Sequence, residues 1–409
     1  MSLASPSRRS FLKTSAVTTT AVSAGRVAGA NERIRMGVVG TGPRGQYLMK
    51  ELNKTAQIEY VALCDIYNVR RDQAATIAGS PVKLVNDHRQ VLDIKDLDAV
   101  VIATPDHWHA PIAVEAMNAG KDVYVEKPIF HKPADGLAIV KAARANKRIF
   151  VAGTQGRTLP QFAETKKQYI DSGVMGKVGM ARTWYTSNSG YMDRKIPDGF
   201  EQKPEGLDWN RWLGPGPKIA WTPQVYFSPY RWYNYDGGPI MGIAIHVVDS
   251  AHHWLNLSKP VSAVAGGGTF YFKDGRDTPD VISFIVEYPQ ELIVTFTAES
   301  LTCPDIKTTA GVELRGTGGT LMAERYVKDI AWEYVPNKRY SSVLAAKGPG
   351  PQAWATWNIQ NWLECIRTRK KAVANEEVAY YSTTTCAMAS MAYRSGQKVY
   401  WNDAWNLPD

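Results

Sequence analysis

The sequence predicts a two-domain α/β protein in which a doubly wound parallel sheet precedes a large, mainly antiparallel sheet. Short apolar runs alternate with helical patterns up to about residue 150, which is typical of a parallel sheet. Beyond Gly153, segments such as 283–288, 292–298 and 311–315 read as strands with long connections between them. The chain has 409 residues, which is too long for one ordinary domain and suits two.

The first strand runs into a glycine-rich turn. Residues 36–45 read MGVVGTGPRG, so an apolar strand leads directly into the pattern Gly-x-Gly-x-x-Gly. Gly40 permits a tight turn, Gly42 lets the backbone approach a pyrophosphate, and Gly45 lets the next helix pack against the strand. The N-terminus of that helix stabilises negative charge. This arrangement predicts a Rossmann domain that binds a dinucleotide.

The second predicted strand, residues 58–64, ends at Asp65, about 20 residues after the last glycine. An acid at this point accepts hydrogen bonds from a free ribose 2′-hydroxyl and repels a 2′-phosphate, which favours NAD over NADP. Arg70 and Arg71 follow within one helical stretch, so NADP stays possible.

Two later strands end in polar residues. The strand 99–103 leads into TPDHWH at 104–109 and a helix over 112–119, and a further strand ends at Glu126-Lys127-Pro128. Proline prevents that strand from pairing further. Open α/β sheets bind ligands at the carboxyl ends of their strands, so we expect Lys127 beside the cofactor. A helix over 134–145 and a strand over 149–151 follow, and two helices are expected from about residues 357 to 368 and 382 to 394.

Residues 1–30 are predicted to be a twin-arginine signal peptide. The segment 7–13 reads SRRSFLK, a mildly apolar stretch follows, and Ala28-Gly29-Ala30 has the form of a cleavage site. The segment is too polar and short to span a membrane. We therefore expect an exported, periplasmic protein that engages the twin-arginine export machinery. Because that machinery moves folded proteins, the cofactor is expected to be tightly bound and recycled in place.

Composition excludes some classes of protein. The formal net charge is +9, but part of this charge falls in residues 1–30 and the rest is spread along the chain, so nucleic-acid binding is not expected. The four cysteines form no C-x-x-C pair, which favours structural thiols, and no metal site is predicted. The 13 Trp and 20 Tyr suit either sugar stacking or ordinary core packing.

The ordered motifs resemble the glucose-fructose oxidoreductase, inositol dehydrogenase and rhizopine-catabolism (Gfo/Idh/MocA) family, and its exported members most. The resemblance covers nearly all of the chain after residue 30 and rests on the segments 39–45, 64–65, 104–109, 126–128, 153–155, 237–249 and 273–280. It implies an NAD(P)-dependent oxidoreductase that acts on CH-OH groups of a carbohydrate. The Rossmann domain would span 31–155, and a C-terminal α/β domain, 156–409, would form the substrate wall and the interface of a homo-oligomer, either a dimer or a tetramer.

The family's catalytic lysine matches Lys127. Its second catalytic element is an Asp four residues before a His; His246 matches the histidine, but Gly242 stands at the position of the acid. Asp249 and Asp236 could each supply part of the missing role. The alternative is that His246 is a packed helical residue and that the chemistry is lost or altered.

The resemblance and the strand-end positions together imply two sets of ligand contacts. The implied cofactor-binding residues are Gly40, Thr41, Gly42, Arg44, Gly45, Asp65, Thr104, Pro105, His107, His109, Glu126, Lys127 and Gln155. The implied substrate-binding residues are Arg157, Tyr185, Trp232, Tyr233 and His246, with Trp184 and Tyr191 as further stacking candidates.

Two other functions stay open beside the oxidoreductase. One is a redox-neutral, NAD-dependent glycosidase that oxidises a sugar transiently, eliminates the glycosidic bond and returns the hydride. The other is a non-catalytic sugar-binding protein on the same scaffold, suggested by Gly242.

Overall fold

The structure is a computed structural model that describes residues 33–55, 57–187, 195–299, 309–324, 332–348 and 354–408. The predicted signal peptide, Tyr191 and Cys303 lie outside the described residues.

The N-terminal domain contains a six-stranded sheet with the order β3-β2-β1-β4-β5-β6, and every neighbouring pair is parallel. The strands are β1 (Ile34–Val39), β2 (Ile58–Cys64), β3 (Lys83–Val85), β4 (Ala99–Ile102), β5 (Asp122–Val125) and β6 (Phe150–Ala152). Most of their residues are apolar and buried because helices cover both faces. The chain reverses its direction of winding between β1 and β4, which opens a ligand crevice at the carboxyl ends of these strands.

The helices of this domain begin and end at residues suited to those positions. They are α1 (Pro43–Asn53), α2 (Asn68–Ala78), α3 (Arg89–Leu92), α4 (His109–Asn118) and α5 (Pro133–Asn146). Pro43 and Pro133 occupy the first turns of α1 and α5, where no backbone donor is needed. Gly79, with φ of +69°, ends α2 in the left-handed conformation.

The C-terminal domain contains a nine-stranded sheet with the order β14-β13-β12-β11-β7-β10-β9-β8-β15. The strands are β7 (Val178–Thr186), β8 (Ser262–Gly268), β9 (Val281–Tyr288), β10 (Leu292–Glu299), β11 (Thr309–Gly316), β12 (Gly319–Glu324), β13 (Trp332–Pro336), β14 (Ala346–Gly348) and β15 (Val399–Tyr400). Among the described strands of this sheet, β7 and β10 form the one parallel pair. The predicted fold class, a Rossmann domain followed by a mainly antiparallel α/β domain, is confirmed.

The remaining helices are α6 (Pro160–Thr165), α7 (Trp209–Leu213), α8 (Pro223–Phe227), α9 (Ala244–Leu255), α10 (Trp354–Thr368) and α11 (Glu376–Ser395). Helix α9 packs its apolar face under the nine-stranded sheet. Helix α10 returns to the first domain, where Ile359 and Trp362 pack in the core beside Tyr124. Helix α11 contributes to the cores of both domains, through Tyr380 in one and Met388 in the other.

Three cysteines, Cys64, Cys365 and Cys386, are buried free thiols. Within the described residues, no helix is long and apolar enough to cross a membrane.

Candidate active site

The glycine-rich turn has the shape that a nucleotide phosphate requires. Gly40 has φ of +86°, and a Cβ there would lie 2.6 Å from the Ala103 backbone. A Cβ on Gly45 would lie 2.1 Å from the Gly40 carbonyl oxygen, so the start of α1 can approach β1 only with glycine at this position. The first backbone N–H groups of α1 have no partner within the helix and favour an anion.

Asp65 lies at the carboxyl end of β2 and is bound by the glycine-rich turn. Its Oδ2 accepts hydrogen bonds from the Thr41 backbone N–H at 2.8 Å and the Thr41 hydroxyl at 3.3 Å. Its Oδ1 accepts one from the Tyr67 backbone N–H at 2.9 Å. Burial raises the pKa of Asp65, and these hydrogen bonds and the charge of Arg70 oppose that shift.

A cleft of about 610 Å³ opens beside Asp65. Gly40, Gly42, Thr104 and Pro105 line it, as predicted for cofactor contacts, and so do residues that the sequence did not single out: Ile66, Asn86, His88, Trp108, Arg211 and Trp212. Arg70 also lines the cleft, and its guanidinium lies 4.7 Å from the ring centroid of Tyr226. The glycine-rich turn, the helix N-terminus, Asp65 and the cleft together fit a dinucleotide.

The second domain contributes one wall of this cleft. The aromatic segment (residues 205–235) packs onto the first domain, and Tyr67 and Leu207 form a bridge between the two chain segments. Trp108 Nε1 donates a hydrogen bond to the Trp212 carbonyl oxygen at 3.0 Å. Arg211 and Trp212 of the aromatic segment therefore line the cleft together with the glycine-rich turn.

His107 and His109 hold loops together. The two ring nitrogens of His107 contact the carbonyl oxygens of Trp212 at 2.9 Å and Tyr235 at 3.3 Å. Those of His109 contact the carbonyl oxygens of Pro128 at 2.7 Å and Thr104 at 2.9 Å. Burial lowers the pKa of each histidine to about 4. The structure thus places both as supports of the cofactor loops, and neither is among the described residues that line the cleft.

Glu126 joins the glycine-rich turn to the end of β5. Arg44 Nε donates to Glu126 Oε1 at 2.8 Å, and Arg44 Nη2 lies 2.6 Å from the same oxygen. Gln155 Nε2 lies 3.4 Å from Glu126 Oε1, so the predicted contacts Arg44, Glu126 and Gln155 form one network. Burial alone would lower the pKa of Arg44, but the Glu126 carboxylate raises it overall.

Lys127 lies where the two domains meet. It is the second residue after β5, and its own peptide bond to the following Pro128 is cis. Its Nζ donates a hydrogen bond to the carbonyl oxygen of Gly242 at 2.6 Å, immediately before α9. An amine at the carboxyl end of the parallel sheet thus reaches the π-helical segment (Pro239–Ile243) that directly precedes α9 in the second domain.

Asp106 and Asp236 lie close enough to Lys127 to interact with its charge, and His131 lies beside both acids; we call these four residues the Lys127 cluster (Asp106, Lys127, His131 and Asp236). Asp106 Oδ2 and His131 Nε2 are 4.0 Å apart, and their side chains are 12% and 18% exposed. Burial raises the pKa of Asp106 well above its usual range, although the charge of Lys127 opposes this. Burial and then Asp106 raise the pKa of Asp236 to about 7. Burial lowers the pKa of His131.

Asp249 and Arg157 form a buried ion pair with each other. Arg157 Nε donates to both carboxylate oxygens of Asp249 at 2.9 Å, and the side chains are 5% and 2% exposed. The predicted catalytic role of Asp249 and substrate-binding role of Arg157 find no support in this placement. Helical spacing put Asp249 near His246, but the Arg157 guanidinium on another element provides its partner.

The predicted substrate residues lie in different surroundings. Tyr185 is buried in the core beneath the nine-stranded sheet, and Tyr233 is buried with Arg394 over its ring at 4.7 Å. Neither ring offers an open stacking face, because packing has covered it. Trp232 is half-buried beside the aromatic segment's core. His246 is half-buried and lines a narrow pocket with Ser250 and Trp354.

Asp106 and His131 are members of the site that the sequence reasoning missed. The only signal was that Asp106 lies inside the 104–109 motif and His131 just after Glu126-Lys127-Pro128. Asp236 was one of two alternatives for the missing acid, and the structure brings it, not Asp249, to the Lys127 cluster.

The fold and this site define a nicotinamide-type oxidoreductase architecture. An oxidoreductase family model with an NAD-binding Rossmann fold matches residues 34–154, and a model of the Gfo/Idh/MocA C-terminal domain matches residues 218–322. The chain belongs to the Gfo/Idh/MocA oxidoreductase family.

Two of the curated relatives are a polyol dehydrogenase and a glycosyl hydrolase by name. The chain is 31% identical over 183 residues to inositol 2-dehydrogenase of Salmonella typhimurium, covering 44% of this chain and 54% of that protein. It is 29% identical over 202 residues to a glycosyl hydrolase family 109 protein of Stenotrophomonas maltophilia, covering 44% and 43%. The chain thus spans about half the length of the curated relatives it matches.

The fold is also similar to that of a solved levoglucosan dehydrogenase in complex with NADH and levoglucosan. The TM-score is 0.69 at 16% identity, over 90% of this chain and 99% of that one. At this identity the similarity supports the fold alone.

Proposed function

We propose that this protein is an NAD-dependent dehydrogenase that oxidises a hydroxyl group of a sugar, polyol or sugar derivative. The observation that carries the proposal is the position of Lys127, whose amine lies at the carboxyl end of β5 and reaches Gly242 in the second domain. An amine there lies between the nucleotide-binding sheet and the domain that would hold the substrate.

Different residues of the chain would bind the cofactor and act on the substrate. The glycine-rich turn and the start of α1 would bind the phosphates, and Asp65 would accept a hydrogen bond from the adenosine ribose. Nicotinamide, when bound, supplies the acceptor for a hydride from the substrate carbon. Lys127 would hold the substrate hydroxyl and take part in moving its proton, since a well-placed side chain contributes about 10²- to 10⁴-fold to such a step.

The polar atoms near Lys127 support a proton-transfer site. Asp106 Oδ2, His131 Nε2 and Asp236 Oδ1 are buried and have no hydrogen-bond partner among the described residues. Buried polar atoms are usually paired, so several unpaired atoms around one amine indicate a place prepared for a ligand. A substrate with several hydroxyl groups could satisfy them.

We also propose that the cofactor stays bound between turnovers and is recycled. Arg211 and Trp212 of the aromatic segment line the cleft, and Trp108 and His107 are bonded to the same segment. These contacts of the aromatic segment with the first domain would slow the release of a dinucleotide. Asp65 favours NAD, whereas Arg70 in the cleft keeps NADP possible.

A two-part experiment tests this function. The full chain, folded in the cytoplasm, is purified by gel filtration and denatured, and the released nucleotide is identified; we expect NAD. The holoprotein is then screened with monosaccharides, polyols and glycosides by nicotinamide absorbance, and a keto-sugar acceptor is added afterwards. We expect reduction and then reoxidation. Protein that folds without any nucleotide would contradict the retained-cofactor proposal.

A redox-neutral glycosidase is the second candidate, because one relative is a glycosyl hydrolase family 109 protein. Product analysis in the same screen separates the two reactions. Cleavage of a glycoside without net NADH supports the glycosidase, and reduction without cleavage supports the dehydrogenase. Sugar binding with no absorbance change and no cleavage would instead support a non-catalytic sugar-binding protein.

We further propose that residues 1–30 direct twin-arginine export to the periplasm. Replacing Arg8 and Arg9 by Lys should keep the precursor in the cytoplasm, as measured by cell fractionation. Normal export of the double variant would contradict the proposal that residues 1–30 are a twin-arginine signal peptide.

We also propose a homo-oligomer, a dimer or tetramer, that pairs through the outward face of the nine-stranded sheet. Val264 and Ile285 are cross-strand neighbours there and are 38% and 41% exposed. Light scattering of the wild type and of Ile285→Lys tests this proposal, and we expect the variant to have the lower mass.

A further inference from the structure

Asp236 occupies the space in which the side chain of an acid at position 242 would lie. A Cβ built on Gly242 would lie 2.8 Å from Asp236 Oδ1, 3.7 Å from its Cγ and 3.8 Å from its Oδ2. The carbonyl oxygen of Gly242 is also the atom to which Lys127 Nζ donates, at 2.6 Å. The carboxylate and the amine therefore converge on one residue.

The double glycine after Asp236 creates this arrangement. Gly237 and Gly238 have φ of +92° and +64°, a conformation that residues with a side chain rarely adopt. A Cβ on Gly238 would also lie 2.6 Å from the Thr278 Cβ. The turn leads directly into the helical region, which consists of the π-helical segment (Pro239–Ile243) and α9. The Gly238 backbone donates a hydrogen bond to the Asp236 carboxylate.

We propose that Asp236 is the positioning acid of Lys127, supplied from the turn before the helical region in place of an acid at position 242. The proposal rests on the proposed function in one respect, namely that Lys127 is the catalytic lysine. The other charged groups around the pair are Asp106 and His131, with Glu126 next to Lys127 in the chain. Asp249 is not available for this role because Arg157 binds both of its oxygens.

Amine labelling in protein stripped of nucleotide tests the proposal without any substrate. An ionised Asp236 attracts the Lys127 side chain and holds it in place, which slows its reaction with an amine-selective acylating reagent. At pH 8 we expect Asp236→Asn to be labelled at Lys127 about tenfold faster than the wild type, by peptide mass spectrometry. The difference should narrow toward pH 6, where Asp236 takes up a proton. The exposed Asp198 offers the matched control, and Asp198→Asn should label like the wild type.

An aspartate moved from position 236 to position 242 should restore the slow labelling of Lys127. The backbone of Gly242 is outside the left-handed region, so an aspartate can stand there. Gly242→Asp alone would place two carboxylates in one volume and should lower the melting temperature. Combined with Asp236→Ala it should restore the melting temperature and return Lys127 labelling to within about twofold of the wild type.

Equal labelling of the wild type and Asp236→Asn at pH 8 would overturn the proposal, and so would failure of an aspartate at 242 to restore slow labelling. If the alanine variants do not fold, two other measurements decide between the outcomes: labelling of the same-sized variant Asp236→Asn, and an NMR titration of the Asp236 carboxyl in the wild type and in Lys127→Met. An Asp236 titration that is the same in both proteins would overturn the proposal. Failure of the proposed function would give a different result. The wild type and Asp236→Asn would then still differ in Lys127 labelling, but the protein would oxidise no sugar.

Discussion

The acids of the cofactor cleft and the acids of the Lys127 cluster are both buried but differ in how they are bonded. Asp65 accepts three hydrogen bonds, and Glu126 is bound by Arg44 and Gln155. By contrast, Asp106 Oδ2 and Asp236 Oδ1 have no hydrogen-bond partner among the described residues. The acids of the cleft stabilise the fold that binds the cofactor, whereas the acids of the cluster cost stability and are left ready to interact with a ligand.

Replacement of Lys127 should have the largest effect on function. We expect Lys127→Ala to lower kcat for sugar oxidation by about 10²- to 10⁴-fold, because it removes the proton-transferring amine. The melting temperature should change little, since Asp106 and Asp236 can take up protons once the cation is gone. Steady-state kinetics and thermal melts measure both. The exposed Lys141 of α5 is the matched control, and an equal loss in Lys141→Ala would contradict a specific role.

Replacement of Asp65 tests the cleft and should act on stability and cofactor together. Asp65→Ala leaves the backbone N–H groups of Thr41 and Tyr67 without their acceptor, at a cost of about 1–3 kcal/mol for each unpaired group. Chemical denaturation should show the loss. NAD affinity should fall more than NADP affinity, by calorimetry. An equal fall for both nucleotides would mean that Asp65 acts only through the fold.

Replacement of Asp236 in the Lys127 cluster should have a smaller effect, opposite in sign to that of Asp65→Ala, because it should raise stability as the pH increases. Burial raises the pKa of Asp236 from 3.8 to about 7, so the folded state binds this proton more tightly than the unfolded state. Its contribution is complete below about pH 4 and is lost as the pH rises through about 7. Relative to the wild type, Asp236→Asn should therefore gain about 3 kcal/mol between pH 4 and pH 7.

Asp274 provides the control for that titration. The hydrogen bond from Arg276 lowers the pKa of Asp274, so its contribution is present at neutral pH and is lost as the pH falls. Asp274→Asn should thus be less stable than the wild type at pH 7 and approach it in acid. A pH series of urea denaturation curves measures both variants, and the same trend in both would contradict the assignment.

The cofactor-binding part of the site could be predicted from the sequence because its motifs lie within short, continuous segments. The predicted strand at 58–64 has those bounds, and the glycine-rich turn acts through backbone geometry that consecutive residues determine. Helix α11 begins at Glu376, six residues before its predicted start, because Asn375 caps it by accepting hydrogen bonds from two backbone N–H groups. The resemblance to a family supplied Lys127 and the wider fold.

The Lys127 cluster could not be predicted in the same way, because Asp106, His131 and Asp236 come from three separate segments. Helical spacing indicates that Asp249 shares a face with His246, but it does not reveal that Arg157 faces it from another element. Aromatic composition likewise cannot tell a sugar platform from a core residue such as Tyr185. These assignments depend on long-range packing.

Helix α11 sets a limit on the motion between the two domains. It spans 20 residues, or about 30 Å, and places Ala379 and Tyr380 in the first core and Cys386 to Ala389 in the second. A wide hinge rotation would pull one of these apolar sets out of its core and into water. The crevice must therefore admit and release small molecules by local displacement of surface segments, while the two sheets behave mechanically as one rigid block.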